Sequence, residues 1–200
     1  MSVQIAPATW VDFGRDVEQS THPADLGQAS GLPQWRRSEM LTARGLLRAL
    51  LAEVAPACAD AELVPGANGK PVLVGWPQVG VSWSHDSDAV AVAVSMGRQV
   101  GVDIQLPVAQ PDERMVRRCL RDRAAELLSL PAAEQALEFA WVWSVQEACV
   151  KCDGSGISGR PWAIDVPLRP QGGTWRAISW TTLRHHTELP ISCALGEALC

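Results

Sequence analysis

The sequence predicts an α+β fold made of two similar halves, residues 1–100 and 101–200. Three observations carry that expectation. Two hundred residues suit one large domain or two small ones. Apolar residues make up 47% of the chain, enough for a packed core. Helical periodicity followed by short apolar strand patterns occurs twice along the chain, although no residue-by-residue repeat is visible.

In the first half, residues 2–6 (SVQIA) read as a short strand, and residues 14–34, rich in Gly, Pro, Ser and Asp, as loop. Residues 38–54 place Met40, Leu41, Leu47, Leu50, Leu51 and Val54 at helical spacing, with Ser38 as N-cap and Pro56 as stop. Arg44 and Arg48 are one turn apart on that helix. The simplest reading of both is a solvated surface. Residues 65–71 (PGANGKP) are a turn signal. Residues 79–84, 89–95 and 99–105 read as strands. The middle one alternates Ala and Val, so both faces are apolar and it is expected to be central. Residues 96–98 (MGR) read as a hairpin turn into the third.

In the second half, residues 111–128 and 131–151 read as helices, and residues 162–167, 173–182 and 190–196 as strands. Pro131 suits a first helical turn, and Gly154 and Gly156 stop the second helix.

Charge and composition narrow the function. A net charge of −5 and a pI near 5.3 argue against a general nucleic-acid binder. The nine tryptophans, without a basic surface, point to core packing rather than base stacking. No apolar run reaches transmembrane length and the N-terminus carries no signal-peptide pattern, so a cytoplasmic location is expected. Cys58, Cys119, Cys149, Cys152, Cys193 and Cys200 form no disulfide framework. Cys149 and Cys152 make a single C-x-x-C inside a predicted helix, read as buried or idle thiols over a zinc or redox site. The four histidines show no metal-ligand spacing. Fifteen of the seventeen basic residues are arginine; Lys70 and Lys151 are the exceptions. Compositional bias explains this, or a compact ammonium is wanted at those two places.

Two stretches carry chemistry. On a helix through Lys151, the residues Trp143, Glu147 and Lys151 share one face. An ordinary surface Glu–Lys pair there would contribute only about 0.3–0.5 kcal/mol. In Gly101–Gln105, strand alternation puts Asp103 and Gln105 on one face, with Val102 and Ile104 on the other. A strand-end carboxylate beside a helix glutamate suits Mg²⁺, which takes hard oxygen ligands and keeps water and phosphate oxygens. Spacing alone does not bring Asp103 to Glu147; a fold must do it.

Gly101-Val102-Asp103-Ile104-Gln105 and Trp143-Ser144-Val145-Gln146-Glu147-Ala148-Cys149-Val150-Lys151 resemble the two signature motifs of the 4′-phosphopantetheinyl transferases, G-[IV]-D-[IV]-E and W-[ST]-x-K-E-A-x-x-K. Gly69-Lys70-Pro71, Val81–Asp86 and Gly154–Ile157 are similar to that family's G-K-P, [FV]-[NS]-[IVL]-S-H-[ST] and G-x-G-[IL]. Arg44 sits where the family has an arginine that contacts coenzyme A. The matches fall in order between residues 36 and 158 and resemble the long, surfactin-type class, a pseudo-dimer with its active site in the cleft between the halves. Gln105 departs from the motif glutamate, Gln146 from its lysine, Asp86 from a small hydroxyl and Cys119-Leu120 from an aromatic pair. An amide oxygen at Gln105 can ligate a metal but brings no charge.

The resemblance implies Mg²⁺-dependent transfer of phosphopantetheine from coenzyme A to a serine of an apo acyl or peptidyl carrier protein, releasing 3′,5′-ADP. It implies Asp103, Gln105 and Glu147 as metal ligands and Glu147, Lys151 and Asp103 as catalytic residues. It implies Arg44, Lys70, Ser84, His85 and Lys151 as the coenzyme A contacts. Arg114, Arg117, Arg118 and Arg121, at i, i+3, i+4 and i+7, form a basic helical face that either docks an acidic carrier or is simply solvated, and a monomer is expected. Two other readings compete: a coenzyme A- or carrier-binding protein whose metal site is weakened by Gln105, and an unrelated α+β protein with chance motifs.

Overall fold

The computed structural model describes residues 2–199, which leaves Cys200 outside the described residues. Ten strands and five α-helices follow in order: β1 (Val3–Ala6), β2 (Thr9–Arg15), α1 (Pro23–Ala29), α2 (Gln34–Val54), β3 (Leu63–Pro65), β4 (Pro71–Leu73), β5 (Val79–Asp86), β6 (Ala89–Met96), β7 (Arg98–Ile104), α3 (Glu113–Leu120), α4 (Ala124–Leu128), α5 (Ala132–Asp153), β8 (Gly172–Trp175), β9 (Ile178–Thr182) and β10 (Ile191–Ala198). The fold is α+β. One antiparallel sheet has the order β1-β2-β6-β5, a second the order β7-β10-β9-β8, and β3 and β4 form a small hairpin. The two main sheets share a connection rule. In each, a strand from before the long helix pairs with the last strand after it, which pairs in turn with the strand before that.

The Ala/Val alternation of β6 explains its central place. Val90, Val92 and Val94 pack with Leu47, Leu50 and Leu51 of α2. Ala89, Ala91 and Ala93 turn to the other side and pack with Val100, Val102, Ile104 and Cys193 of the second sheet. The small alanines let the sheets approach, and the branched valines fill the space under the helix. On the far side of the second sheet, α5 buries Val142, Val145, Ala148 and Cys149 against Ile164, Ile178, Trp180 and Ala194. No helix among the described residues is long and apolar enough to cross a membrane.

β5 and β7 are edge strands of different sheets, and side chains of one stitch them together. Ser82, Ser84 and Asp86 recur every second residue on β5 and therefore face the same way. Val102 N–H donates to Ser82 Oγ at 3.0 Å, Ser84 Oγ donates to Asp103 Oδ1 at 2.7 Å, and Leu106 N–H donates to Asp86 Oδ2 at 2.7 Å. An exposed edge with unpaired N–H groups is thereby closed without a continuous ladder.

The second link is β7 on α5. A Cβ on Gly101 would lie 2.2 Å from the Ala148 carbonyl oxygen and 2.3 Å from the Cys152 nitrogen. Backbone packs on backbone there, which only glycine permits. α5 stops at Gly154, whose left-handed conformation (φ 75) caps the last turn.

Several local expectations are corrected. The turn at residues 96–98 is not a hairpin: β6 pairs with β2 and β5, and β7 crosses to the other sheet and pairs with β10. Residues 162–167 form no strand but a 3₁₀ turn, Pro161–Ala163, and loop. Residues 173–182 are two strands broken at Arg176. The helix expected over 111–128 is interrupted at Arg121, which has a positive φ of 51. α2 begins at Gln34, so Ser38 is not its cap. Within residues 14–34, read as loop, the chain folds the short helix α1, and β2 ahead of it was not foreseen. The order of each half is therefore strand, helix, strand rather than helix, strand.

Ser82→Ala should leave the buried Val102 N–H without its acceptor, a cost of about 1–3 kcal/mol. For a chain of this length that lowers Tm by roughly 2–4 °C per kcal/mol. Thermal unfolding followed by circular dichroism checks it, and an unchanged Tm would show that the stitch carries no stability.

Candidate active site

Three elements converge at the end of this seam. β7 brings Asp103, β5 brings Ser84, and α5 brings Glu147 and Lys151. Along α5 nearly every side chain from Ala140 to Cys152 is buried; the partly accessible ones are Trp143, Glu147 and Lys151, the face expected from the sequence. Lys151 Nζ donates to Asp103 Oδ1 at 2.6 Å and to Ser84 Oγ at 2.7 Å. Asp103 is buried, and burial pushes its carboxyl above the ordinary value against the pull of Lys151 and Ser84. Glu147 lies one turn earlier on the same helix face. Burial, then the negative charge of Asp103, push its carboxyl up to about 7, with Lys151 pulling the other way. Its buried Oε1 has no hydrogen-bond partner.

Gln105 follows β7. Its Nε2 donates to Asp86 Oδ2 at 2.8 Å and to the Leu106 carbonyl at 3.2 Å. Among the described residues no group of three His, Cys, Asp or Glu side chains is placed to hold a metal by itself. The available donors are two carboxylates and an amide, all hard oxygens. A partnerless buried carboxylate oxygen next to a second carboxylate is a place where a divalent cation would lower the free energy, so this set fits Mg²⁺.

Two adjoining cavities lead away from Lys151. The smaller, about 190 Å³, is lined by Lys70, Ser82, Trp83, Lys151 and Gly154. It shares Gly69, Pro71 and Trp83 with a larger one of about 400 Å³ that reaches Arg36, Glu39, Arg44 and His85.

The residues expected to bind coenzyme A are placed unequally. Ser84 is at the centre of the site, and its hydroxyl is already engaged with Asp103 and Lys151. His85 is half exposed on the larger cavity, 3.5 Å from Glu39. Arg44 lines the same cavity but is not the solvated arginine expected: it is buried, with Nη1 on Asp25 at 2.7 Å and Nη2 on Gln28 at 2.8 Å. Burial pushes the Asp25 carboxyl up, yet Arg48, Ser20 and Arg44 outweigh it and hold it at about 2. Lys70, in the turn between β3 and β4, donates to the Cys152 carbonyl at the C-terminal end of α5, and burial lowers its ammonium. The basic helical face is broken up: Arg117 pairs with Glu113, Arg118 stacks 3.6 Å over the Trp162 ring, and Arg121 donates to the Ala163 carbonyl.

Asp86, Ser82 and Asp25 were missed as structural partners of the site. Period-two alternation in V-S-W-S-H-D held the signal for the first two; nothing near Asp25 pointed to Arg44 and Arg48. Gln146 is explained: fully buried, its Nε2 donates to the Cys119 and Ile164 carbonyls at 3.2 and 2.9 Å, tying α5 to its neighbours where a lysine would bury a charge. Cys149 and Cys152 are buried free thiols, with Cys152 pushed up to about 11 by burial, so the C-x-x-C carries no reactive thiolate.

Residues 99–194, which hold Asp103, Gln105, Glu147 and Lys151, match the family model described as 4′-phosphopantetheinyl transferase superfamily. A 4′-phosphopantetheinyl transferase of Bacillus pumilus, psf-1, is 38% identical over 92 residues, 46% of this chain and 39% of that protein. The 4′-phosphopantetheinyl transferase HetI of a Nostoc species is 30% identical over 148 residues, 69% of this chain and 60% of its own length. The chain thus spans less than two thirds of either relative. The reading of the motifs as chance matches falls, and the chain belongs to the 4′-phosphopantetheinyl transferase superfamily.

Proposed function

We propose that this protein transfers the 4′-phosphopantetheine group of coenzyme A to a serine hydroxyl of an apo acyl or peptidyl carrier protein, releasing 3′,5′-ADP. The observation that carries this is the meeting of Asp103, Ser84 and Lys151 from three elements, with a carboxylate poised near neutrality one helical turn away.

The carrier serine oxygen attacks the phosphorus that bears the pantetheine arm. A new P–O bond forms to serine, and the P–O bond to the adenosine-side phosphate breaks. Glu147 takes the serine proton, directly or through a water, a contribution typically worth ~10²–10⁴-fold. Lys151 stands by the pyrophosphate and offsets the negative charge left on 3′,5′-ADP. Asp103 and Ser84 hold that ammonium in place. Asp103, Gln105 and Glu147 would hold Mg²⁺, which when bound neutralises pyrophosphate charge. The adenosine end occupies the larger cavity, beside His85 and Arg44, and Lys70 lines the path between. Arg114, Arg117, Arg118 and Arg121 remain the proposed carrier-docking face, although three of them already have partners. The second reading, a binding protein with a weakened metal site, rests on Gln105.

Three outcomes test this. Glu147→Gln should reduce transfer about 10²-fold or more, read as the loss of the phosphopantetheine mass gain on an apo carrier incubated with coenzyme A and Mg²⁺; near-normal turnover would remove Glu147 as base. The stability of the protein should also respond to pH through this group. Its folded pKa is raised from 4.5 to about 7, so its contribution is full below the unfolded value and lost as pH rises through the folded one. The wild type should therefore lose Tm between about pH 5 and 8 more steeply than Glu147→Gln, and equal slopes would contradict the raised value. Charge reversal at Arg117 and Arg118 should raise the KM for an acidic carrier and flatten its salt dependence; unchanged values in both would exclude this face from docking.

A further inference from the structure

At the proposed metal site an amide, Gln105, stands where a carboxylate would serve a cation better. A carboxylate at that position would bring both an oxygen and a charge; the amide brings only the oxygen, and only when turned the right way. The structure settles which way it is turned. Asp86 Oδ2 and the Leu106 carbonyl are both pure acceptors, so the amide nitrogen must face them, and its two hydrogens are both taken. The carbonyl oxygen is the part of the amide left over. Asp86 is itself held, since the same Oδ2 receives the Leu106 N–H at 2.7 Å. Its charge also reaches the site, where it adds to the forces raising Asp103.

We propose that Asp86 and Gln105 work as one anionic unit: Asp86 is a positioning residue that fixes the Gln105 amide with its oxygen free for a divalent cation and supplies beside it the charge the amide lacks. The unit spans the seam, with Asp86 ending β5 and Gln105 following β7. Net charge at this corner is −1, the same as for a glutamate at 105 beside a neutral residue at 86. The two positions are therefore interdependent. A glutamate at 105 with Asp86 retained would set two carboxylates in the place of a 2.8 Å hydrogen bond, where like charges repel and the fixed orientation is lost. The inference rests on the reading of Asp103, Gln105 and Glu147 as a cation site.

The experiment uses the full chain with coenzyme A and Mn²⁺ as probe, reading bound ion from the loss of the free Mn²⁺ resonance, with Tm recorded for every variant. Asp86→Asn keeps an acceptor for the amide and removes the charge; Asp86→Ser removes the charge and leaves only a shorter hydroxyl that draws the acceptor back from the amide. Each should weaken Mn²⁺ binding about tenfold or more, in the range seen when groups supporting a metal ligand are lost. Gln105→Glu alone should also weaken it, by about threefold or more, instead of improving it. The double variant Asp86→Ser/Gln105→Glu should return to within about threefold of wild type, far from the product of the single losses. Losses that multiply, or Mn²⁺ affinity in Asp86→Asn and Asp86→Ser within about twofold of wild type, would overturn the inference and leave the transferase reading standing. A wild type that transfers phosphopantetheine without binding a divalent ion would overturn the cation site and this inference together.

Discussion

Val102 and Asp103 belong to one sheet and Leu106 follows its strand β7, and the groups that receive or meet them, Ser82, Ser84 and Asp86, belong to the other sheet. This seam is the constraint on which the rest of the site depends. Neither strand could be left bare, because an edge presents unpaired backbone groups. The solution uses side chains spaced two apart, so a single face of β5 serves the C-terminal end of β7. The middle stitch has a second consequence. Ser84 joins Asp103 to Lys151, and so the closing of the sheets also locates the end of α5. Lys70 bolts the same helix end from the turn of the β3–β4 hairpin. A buried ion pair such as Asp103–Lys151 contributes little to stability on its own, since desolvation offsets most of the attraction. What it does here is fix the distance between three elements.

The close approach at Gly101 is the companion constraint. A side chain there would push β7 off α5, and the displacement would be felt two residues on, at Asp103. The glycine and the aspartate of the first signature therefore answer to one requirement, that a strand end meet a helix end at hydrogen-bond distance. The helix answers it with a narrow accessible stripe, Trp143, Glu147 and Lys151, among side chains that are otherwise buried. Gln146 points away from that stripe into the packing of α5, which separates its substitution from the chemistry next door.

How much of this was legible in the sequence follows from the range of each interaction. α2 and α5 declared themselves because many residues obey one period. β6 was recognisable as central because its two faces are both apolar. The pairing of β7 was not recognisable: a Met-Gly-Arg turn between two strands looks alike whether the second strand folds back on the first or leaves for another sheet, and only the partners Ile191–Leu195 decide. The break at Arg121 escaped notice because α3 and α4 keep nearly the same apolar spacing across it. Residues 162–167 carry strand-like side chains but pack as a loop over α5. In the site, the i, i+4 spacing of Glu147 and Lys151 and the i, i+2 spacing of Asp103 and Gln105 were readable, and their meeting was not. Arg44 was misread as solvated because its partner Asp25 lies in a segment without periodicity.

The electrostatics of the site run against the stability of the fold. Glu147 carries a buried oxygen with no donor, Asp103 is desolvated beside it, and Asp86 adds a third negative charge within reach. Lys151 is the positive charge that faces all of this, and its hydrogen bonds go to Asp103 and Ser84, none to Glu147. A fold selected only to be stable would replace Glu147 with an apolar or amide side chain at little cost to packing. Its retention in an otherwise buried helix, next to a second carboxylate, makes sense if the missing positive charge arrives with the ligand. On the proposed reading it does so, as a divalent ion that the carboxylates and the Gln105 oxygen hold against a pyrophosphate. The strain of the free protein is then the source of its affinity for that ion, and the partnerless buried oxygen of Glu147 marks the place the cation would take.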